Sequence, residues 1–126
     1  MKLKIELLII LHIFSSVLLA ENKSVFVFSL QEKDSFSKSQ NTLNRISDYA
    51  QAKKEIKELN FIGKMAHLNS FFNTFPKIED IENYGNSDYW ATPKEFIEKG
   101  GDCEDFAIAK YFSFIEEIKI EKEKLF

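Results

Sequence analysis

A chain of 126 residues has room for one domain and no more. Its 44% apolar content and 13 phenylalanines suit a packed core, while only 4 Gly and 2 Pro exclude a linker-like or low-complexity chain. A formal charge of -3 and a pI near 5.5 provide no basic footprint, which excludes nucleic acid as a natural partner.

The chain opens like an export signal. Lys2 and Lys4 make the start positive, and residues 7–20 form an apolar stretch interrupted by His12, Ser15 and Ser16. A membrane span needs about 20 apolar residues, so this stretch predicts a signal peptide over residues 1–20, with cleavage after Ala20. An uncleaved N-terminal anchor is the competing reading. Export makes the chain periplasmic and leaves residues 21–126 as the mature part.

Residues 24–30 alternate Val and Phe and predict the one strand, and residues 31–41 are polar and predict irregular chain. Leu43, Ile46, Tyr49, Ala50, Ile56 and Leu59 fall at helical spacing and predict a helix over residues 42–60. A second helix is predicted over residues 62–75, with Ile62, Met65, Leu68, Phe71 and Phe72 on one side, Gly63 blurring its start and Pro76 ending it.

Residues 76–91 predict an ordered loop, because Tyr84, Tyr89 and Trp90 can bury more area than a solvated linker needs. Trp90 either fills the core under this loop or shapes a substrate cleft, and core is the preferred reading. Thr92-Pro93-Lys94-Glu95 is a helix start, with Thr92 as cap, Pro93 at the first position and Glu95 completing a capping box. Gly100-Gly101 ends that helix within two turns.

Asp102 then caps a new helix, which places Cys103 at its first position and Asp105 in its first turn. The residues that follow, Phe106 to Ile118, are apolar nearly all round for three turns and predict a central helix covered on most sides. One strand cannot make a sheet, and the most buried helix lies close to the C-terminus. The expectation is therefore a chain truncated before the elements that cover both. An all-helical domain with residues 24–30 as an extended arm is the alternative.

Cys103 is the sole cysteine, so in an oxidising compartment it is a buried passenger, an intermolecular bridge or a reactive thiol. Its neighbours favour the reactive one. Unpaired amides at a helix start attract a thiolate, the nucleophilic form, and Gly100 and Gly101 leave room for a substrate backbone. Asp102, Glu104 and Asp105 oppose this by like-charge repulsion. Capping explains Asp102 and the helix dipole explains Asp105, but Glu104 has no structural task. A divalent cation held by Asp102, Glu104 and Asp105 would remove the conflict, and carboxylate oxygens suit calcium.

The run Asp88-Tyr89-Trp90-Ala91-Thr92-Pro93, Glu95-Phe96 and Gly101-Asp102-Cys103-Glu104-Asp105-Phe106-Ala107-Ile108-Ala109-Lys110-Tyr111-Phe112 closely resembles the bacterial transglutaminase-like cysteine proteinases. Asn69-Ser70-Phe71-Phe72-Asn73 resembles the helix preceding their active-site segment. The best-known members of that family are periplasmic enzymes that clip large surface adhesins and so release biofilm.

The resemblance implies an α+β papain/transglutaminase-like fold, of which this chain carries the mainly helical N-terminal part with the Cys helix. It implies a Cys-His-Asp triad with Cys103 as nucleophile. It also implies calcium dependence through the acids beside the cysteine, Asp102 and Glu104 first and Asp105 as a weaker candidate. Its implied partners are a surface adhesin as substrate and an inner-membrane receptor responsive to cyclic di-GMP.

The chain departs from the family in one respect. No His follows Cys103, so the triad His and Asp are absent from these residues, and His67 reads as an ordinary half-exposed helix residue. The expectation is a peptidase segment inactive alone. A non-catalytic exported helical binding module, or a decayed gene product, is the alternative. Asn69 and Asn73 either steady the active-site loop or cap a helix, and the sequence leaves both open.

Overall fold

A computed structural model describes residues 24–119. The signal reading over residues 1–20 lies outside them. They form six helices: α1 Leu30–Ser35, α2 Gln40–Glu55, α3 Phe61–Phe72, α4 Asp80–Tyr84, α5 Pro93–Lys99 and α6 Cys103–Ser113. Single 3-10 turns follow α1 (Phe36–Lys38) and α2 (Ile56–Glu58), and a π-helical turn, Phe114–Ile118, extends α6. No strand occurs among the described residues. The one β-type contact is an isolated parallel bridge between Lys77 and Gly101. The described part is thus mainly helical, and it carries no sheet of a papain-like fold.

The expected strand over residues 24–30 is corrected. Its alternation did sort the faces, since Phe26 and Phe28 are buried while Val27 is exposed. What it lacks is a partner. The Val25 N–H donates instead to Glu116 Oε1 at 2.7 Å, and the Ser24 hydroxyl donates to Glu116 Oε2. One carboxylate thus anchors an arm that opens with a turn, the Val27 N–H donating to the Ser24 carbonyl at 3.2 Å, and Leu30 already belongs to α1.

Residues 31–41 are also more ordered than expected. The Glu32 N–H donates to Ser29 Oγ at 3.1 Å and the Ser29 N–H to Glu32 Oε2 at 2.7 Å, a reciprocal cap that starts α1. Lys94 donates to both Glu32 oxygens, at 2.8 and 3.1 Å, tying α1 to α5.

The two long helices form where the periodicity places them, with shifted ends. Asn60 accepts from the Gly63 N–H at 2.8 Å and caps α3, which resolves the boundary near Gly63. The α3 helix ends at Phe72, short of Pro76.

Phe72 is the hub of the core. It is fully buried, and its ring lies 5.2 to 6.2 Å from those of Phe26, Tyr49, Phe71, Phe75 and Phe96. Aromatic pairs at such separations add about 0.5–1.5 kcal/mol each beyond the burial of their area. Two side-chain pairs tie α2 to the C-terminal end of α6 and the turn after it: Tyr49 donates to Ser113 Oγ at 3.2 Å, and Lys53 pairs with Glu117 at 3.7 Å. Arg45 of α2 donates to the Glu98 carbonyl at 2.6 Å and so satisfies the C-terminal end of α5. Lys110 donates to Asn73 Oδ1 at 2.6 Å, which joins the end of α3 to α6.

The α6 helix is less enclosed than expected. Its buried residues are Asp105, Ala109 and Ser113, a stripe spaced by four. Phe106, Ile108, Phe112 and Ile115 are half-buried, and Ala107 is exposed.

Candidate functional site

The α5 helix sets up the site. Thr92 accepts from the Glu95 N–H at 3.3 Å, Glu95 accepts from the Thr92 N–H at 2.8 Å, and Pro93 fills the first helical position. The helix stops at Gly100, whose φ of 77° is a left-handed value. The chain then turns at once into α6. It is pinned there by the Ile78 N–H donating to the Gly101 carbonyl at 2.9 Å and the Gly101 N–H donating to the Pro76 carbonyl at 3.3 Å.

This geometry corrects the expected role of the two glycines. A β-carbon on Gly100 would collide with the Pro76 carbonyl oxygen and lie 2.7 Å from Pro76 Cγ. One on Gly101 would strike Asp105 Oδ2 and lie 2.5 Å from Asp105 Cβ. Both glycines are buried, so the room they leave is filled by this chain's own atoms and not by a substrate.

Cys103 is the first residue of α6 and its thiol is exposed. Asp102 holds the cap position in an extended conformation, and its carbonyl accepts from the Phe106 N–H at 3.1 Å. Asp105 is fully buried. Its Oδ1 accepts from the Ala91 N–H at 2.7 Å and its Oδ2 from the Asp102 N–H at 3.2 Å. One carboxylate therefore holds the aromatic loop against the helix that carries the thiol. Burial pushes the Asp105 carboxyl above its ordinary range; the two N–H donors oppose the shift, and the charges on Asp102 and Asp80 add to it.

Asp80, at the start of α4, completes the acidic group. Asp80, Asp102 and Asp105 each bring a carboxylate oxygen within 4.8 Å of the others. Asp80 is 5% exposed; its Oδ2 accepts from the Tyr89 N–H at 2.7 Å, while its Oδ1 is buried without a hydrogen-bond partner. Asp102 Oδ1 is also buried and unpartnered, as are Asn83 Nδ2 and the Tyr84 hydroxyl on α4. The sequence reading named Asp102, Glu104 and Asp105. Two of these converge, whereas Glu104 is exposed and outside the group, and Asp80 takes the third place. Asp80 carried no spacing signal, because the loop that delivers it is folded by tertiary contacts.

Residues 76–91 are not loop throughout, since α4 lies within them, and of their aromatics Tyr84 and Tyr89 are half-buried. Tyr84 and Tyr89 stack with ring centroids 3.9 Å apart, and the Tyr89 hydroxyl donates to Glu95 Oε1 at 2.7 Å. Trp90 is not core. It is 69% exposed, which overturns the preferred reading of that side chain. His67 pairs with Glu55 at 2.9 Å across α3 and α2 and is half-exposed, as an ordinary helix residue is. Asn73 ends α3 and Asn69 is exposed on its last turns.

No protein-family model and no curated protein matches this chain. Among the described residues no helix is long and apolar enough to cross a membrane.

Proposed function

We propose that this chain is the nucleophile-bearing segment of a periplasmic, calcium-dependent cysteine peptidase of the transglutaminase-like kind, acting on a surface adhesin. The observation that carries the reading is the exposed Cys103 at the first position of α6, on a helix start held to its flanking loop by Asp105. A thiol there lies beside backbone N–H groups with no intrahelical partner. Cys103 would attack a peptide carbonyl, and those amides would stabilise the oxyanion. The half-buried apolar flank of α6 is the surface on which that family's sheet would pack.

The general base has to come from outside these residues. His67 is engaged by Glu55, and no histidine follows Cys103. Without an imidazole neither acylation nor deacylation has its proton carrier, so the 126 residues alone do not turn over a peptide.

The cation part of the reading rests on electrostatics. Three carboxylates share one small volume, and two of their oxygens are buried without donors. Burying unpaired anionic oxygens is costly, and a hard divalent cation relieves that cost while favouring a thiolate nearby. Asp80, Asp102 and Asp105 would hold it, with Glu104 outside.

A peptidyl vinyl sulfone tests the reading, with intact mass and peptide mapping as the readout. A single adduct on Cys103 is expected, together with no hydrolysis of the matching peptide amide. No adduct on the folded chain would overturn the nucleophile assignment, and hydrolysis by the chain alone would overturn its inactivity.

The second reading, a non-catalytic helical module, is favoured by the closed aromatic core, which the described residues build by themselves. It predicts a thiol that ignores peptide electrophiles.

A further inference from the structure

The α2 and α3 helices leave a groove of about 430 Å³ between them. Asp48, Gln51, Ala52 and Glu55 line one side, spaced i, i+3, i+4 and i+7 along a single face of α2. His67, Ser70, Phe71 and Thr74 line the other with the same spacing, from α3 and the turn after it. Glu55 and His67 meet across it at 2.9 Å. Buried Ala52 and half-buried Phe71 supply its apolar part, and the other six side chains are polar. No residue of the cysteine helix lines the groove, so it stands apart from the reading of Cys103.

The polar groups of the groove spend most of their donors on one another. Gln51 Nε2 donates to Glu55 Oε1 at 3.0 Å, and the Thr74 hydroxyl donates to the Phe71 carbonyl at 2.7 Å. His67 Nε2 is held by Glu55 Oε2. Acceptors are left over. The Asp48 carboxylate and the Ser70 hydroxyl have no partner among the described residues, and Gln51 and Thr74 each keep an oxygen able to accept. Two carboxylates, Asp48 and Glu55, lie about two turns apart along α2 and set the sign of the site. Its complement is a cation rich in N–H donors.

We propose that this groove takes the arginine side chain of a partner polypeptide. A guanidinium offers five donors in a plane, enough to pair with Asp48 on two oxygens and still reach the neutral acceptors, whereas an ammonium is a point charge with three. Its apolar stem and flat head suit Ala52 and the Phe71 ring. The occupant is a side chain and not a free small molecule. Asp48, Gln51, Glu55, Ser70 and Thr74 are all exposed, so the groove is open along its length. A pocket for a free ligand buries roughly 70–90% of that ligand's surface, which an open groove does not.

NMR titration of the isotope-labelled full chain tests the proposal. A capped Ala-Arg-Ala peptide should shift the Ser70 and Thr74 amide signals and saturate. The same peptide with lysine, or with neutral citrulline, should bind several-fold more weakly, and so should free agmatine. Asp48→Asn should weaken the arginine peptide about tenfold. Asp48 is exposed and unpaired, so that variant keeps the fold, which the unchanged remainder of its spectrum confirms. Absence of saturable shifts at Ser70 and Thr74, or binding indifferent to Asp48→Asn, overturns the site. Lysine or citrulline peptides that bind as tightly overturn its guanidinium preference, and agmatine binding as tightly as the peptide overturns the polypeptide occupant.

Discussion

The backbone N–H of Ala91 donates to Asp105 Oδ1 at 2.7 Å, and this bond joins the aromatic loop to the first turn of the cysteine helix. The other Asp105 oxygen accepts from the Asp102 N–H. Asp105→Ala would leave both donors without a partner and is expected to cost about 2–4 kcal/mol, measured by urea unfolding. Asp105→Asn keeps one acceptor and should cost about half as much. Equal stability of wild type and Asp105→Ala would remove this carboxylate from its structural role.

Gly100 has φ 77°, and a β-carbon there would run into Pro76. Gly100→Ala combines backbone strain with that collision, so a loss of about 2 kcal/mol or more is expected in thermal or urea melts. Gly101→Ala should displace Asp105 instead, because the added carbon meets its carboxylate. A Gly101→Ala protein as stable as wild type would contradict the close packing of the turn.

If calcium occupies the acidic group, it should raise the melting temperature of the folded chain. At 100 times its dissociation constant a ligand contributes about 2.7 kcal/mol. Asp80→Asn should abolish the rise, and in calcium-free buffer it should make the chain more stable by easing carboxylate repulsion. Glu104→Gln should leave the calcium response intact. A response that depends on Glu104 and ignores Asp80 would contradict the ligand set.

The Lys94 ammonium, with help from the Ser29 N–H and hydroxyl, holds the Glu32 carboxyl down at about 2. A depressed acid stabilises the fold above its ordinary range near 4.5 and loses that contribution as pH falls toward 2. Glu32→Gln should therefore melt lower than wild type at neutral pH, and the gap should narrow from about pH 4.5 downward. A gap that persists unchanged at pH 3 would show that the charge is not what matters there.

How much was legible in the sequence varies by element. Thr92-Pro93-Lys94-Glu95 states its structure locally, through cap chemistry and the fixed φ of proline, and that helix starts as expected. The helix at Cys103 also starts where expected, but its start is held by the Asp102 N–H donating to Asp105 and not by the Asp102 side chain. Ser29 and Glu32 carry an equally local signal that the polar composition of residues 31–41 obscured. The arm at residues 24–29 shows the limit of alternation, which records which side chains turn inward but not what accepts the backbone bonds. Here the acceptor is Glu116, 91 residues from Val25. Asp80 and Trp90 were beyond reach for a related reason. Their positions depend on a loop folded by Tyr84, Tyr89 and Asp105, which no periodicity encodes.

The most direct test of the account is the alkylation rate of Cys103 by iodoacetamide at neutral pH. It should be compared between the folded chain and the same chain in guanidinium, with and without calcium before unfolding. As the sole cysteine it gives a single signal. The account predicts that the folded thiol reacts faster than the unfolded one, and faster still with calcium bound. A folded thiol slower than the unfolded one and indifferent to the ion would contradict it.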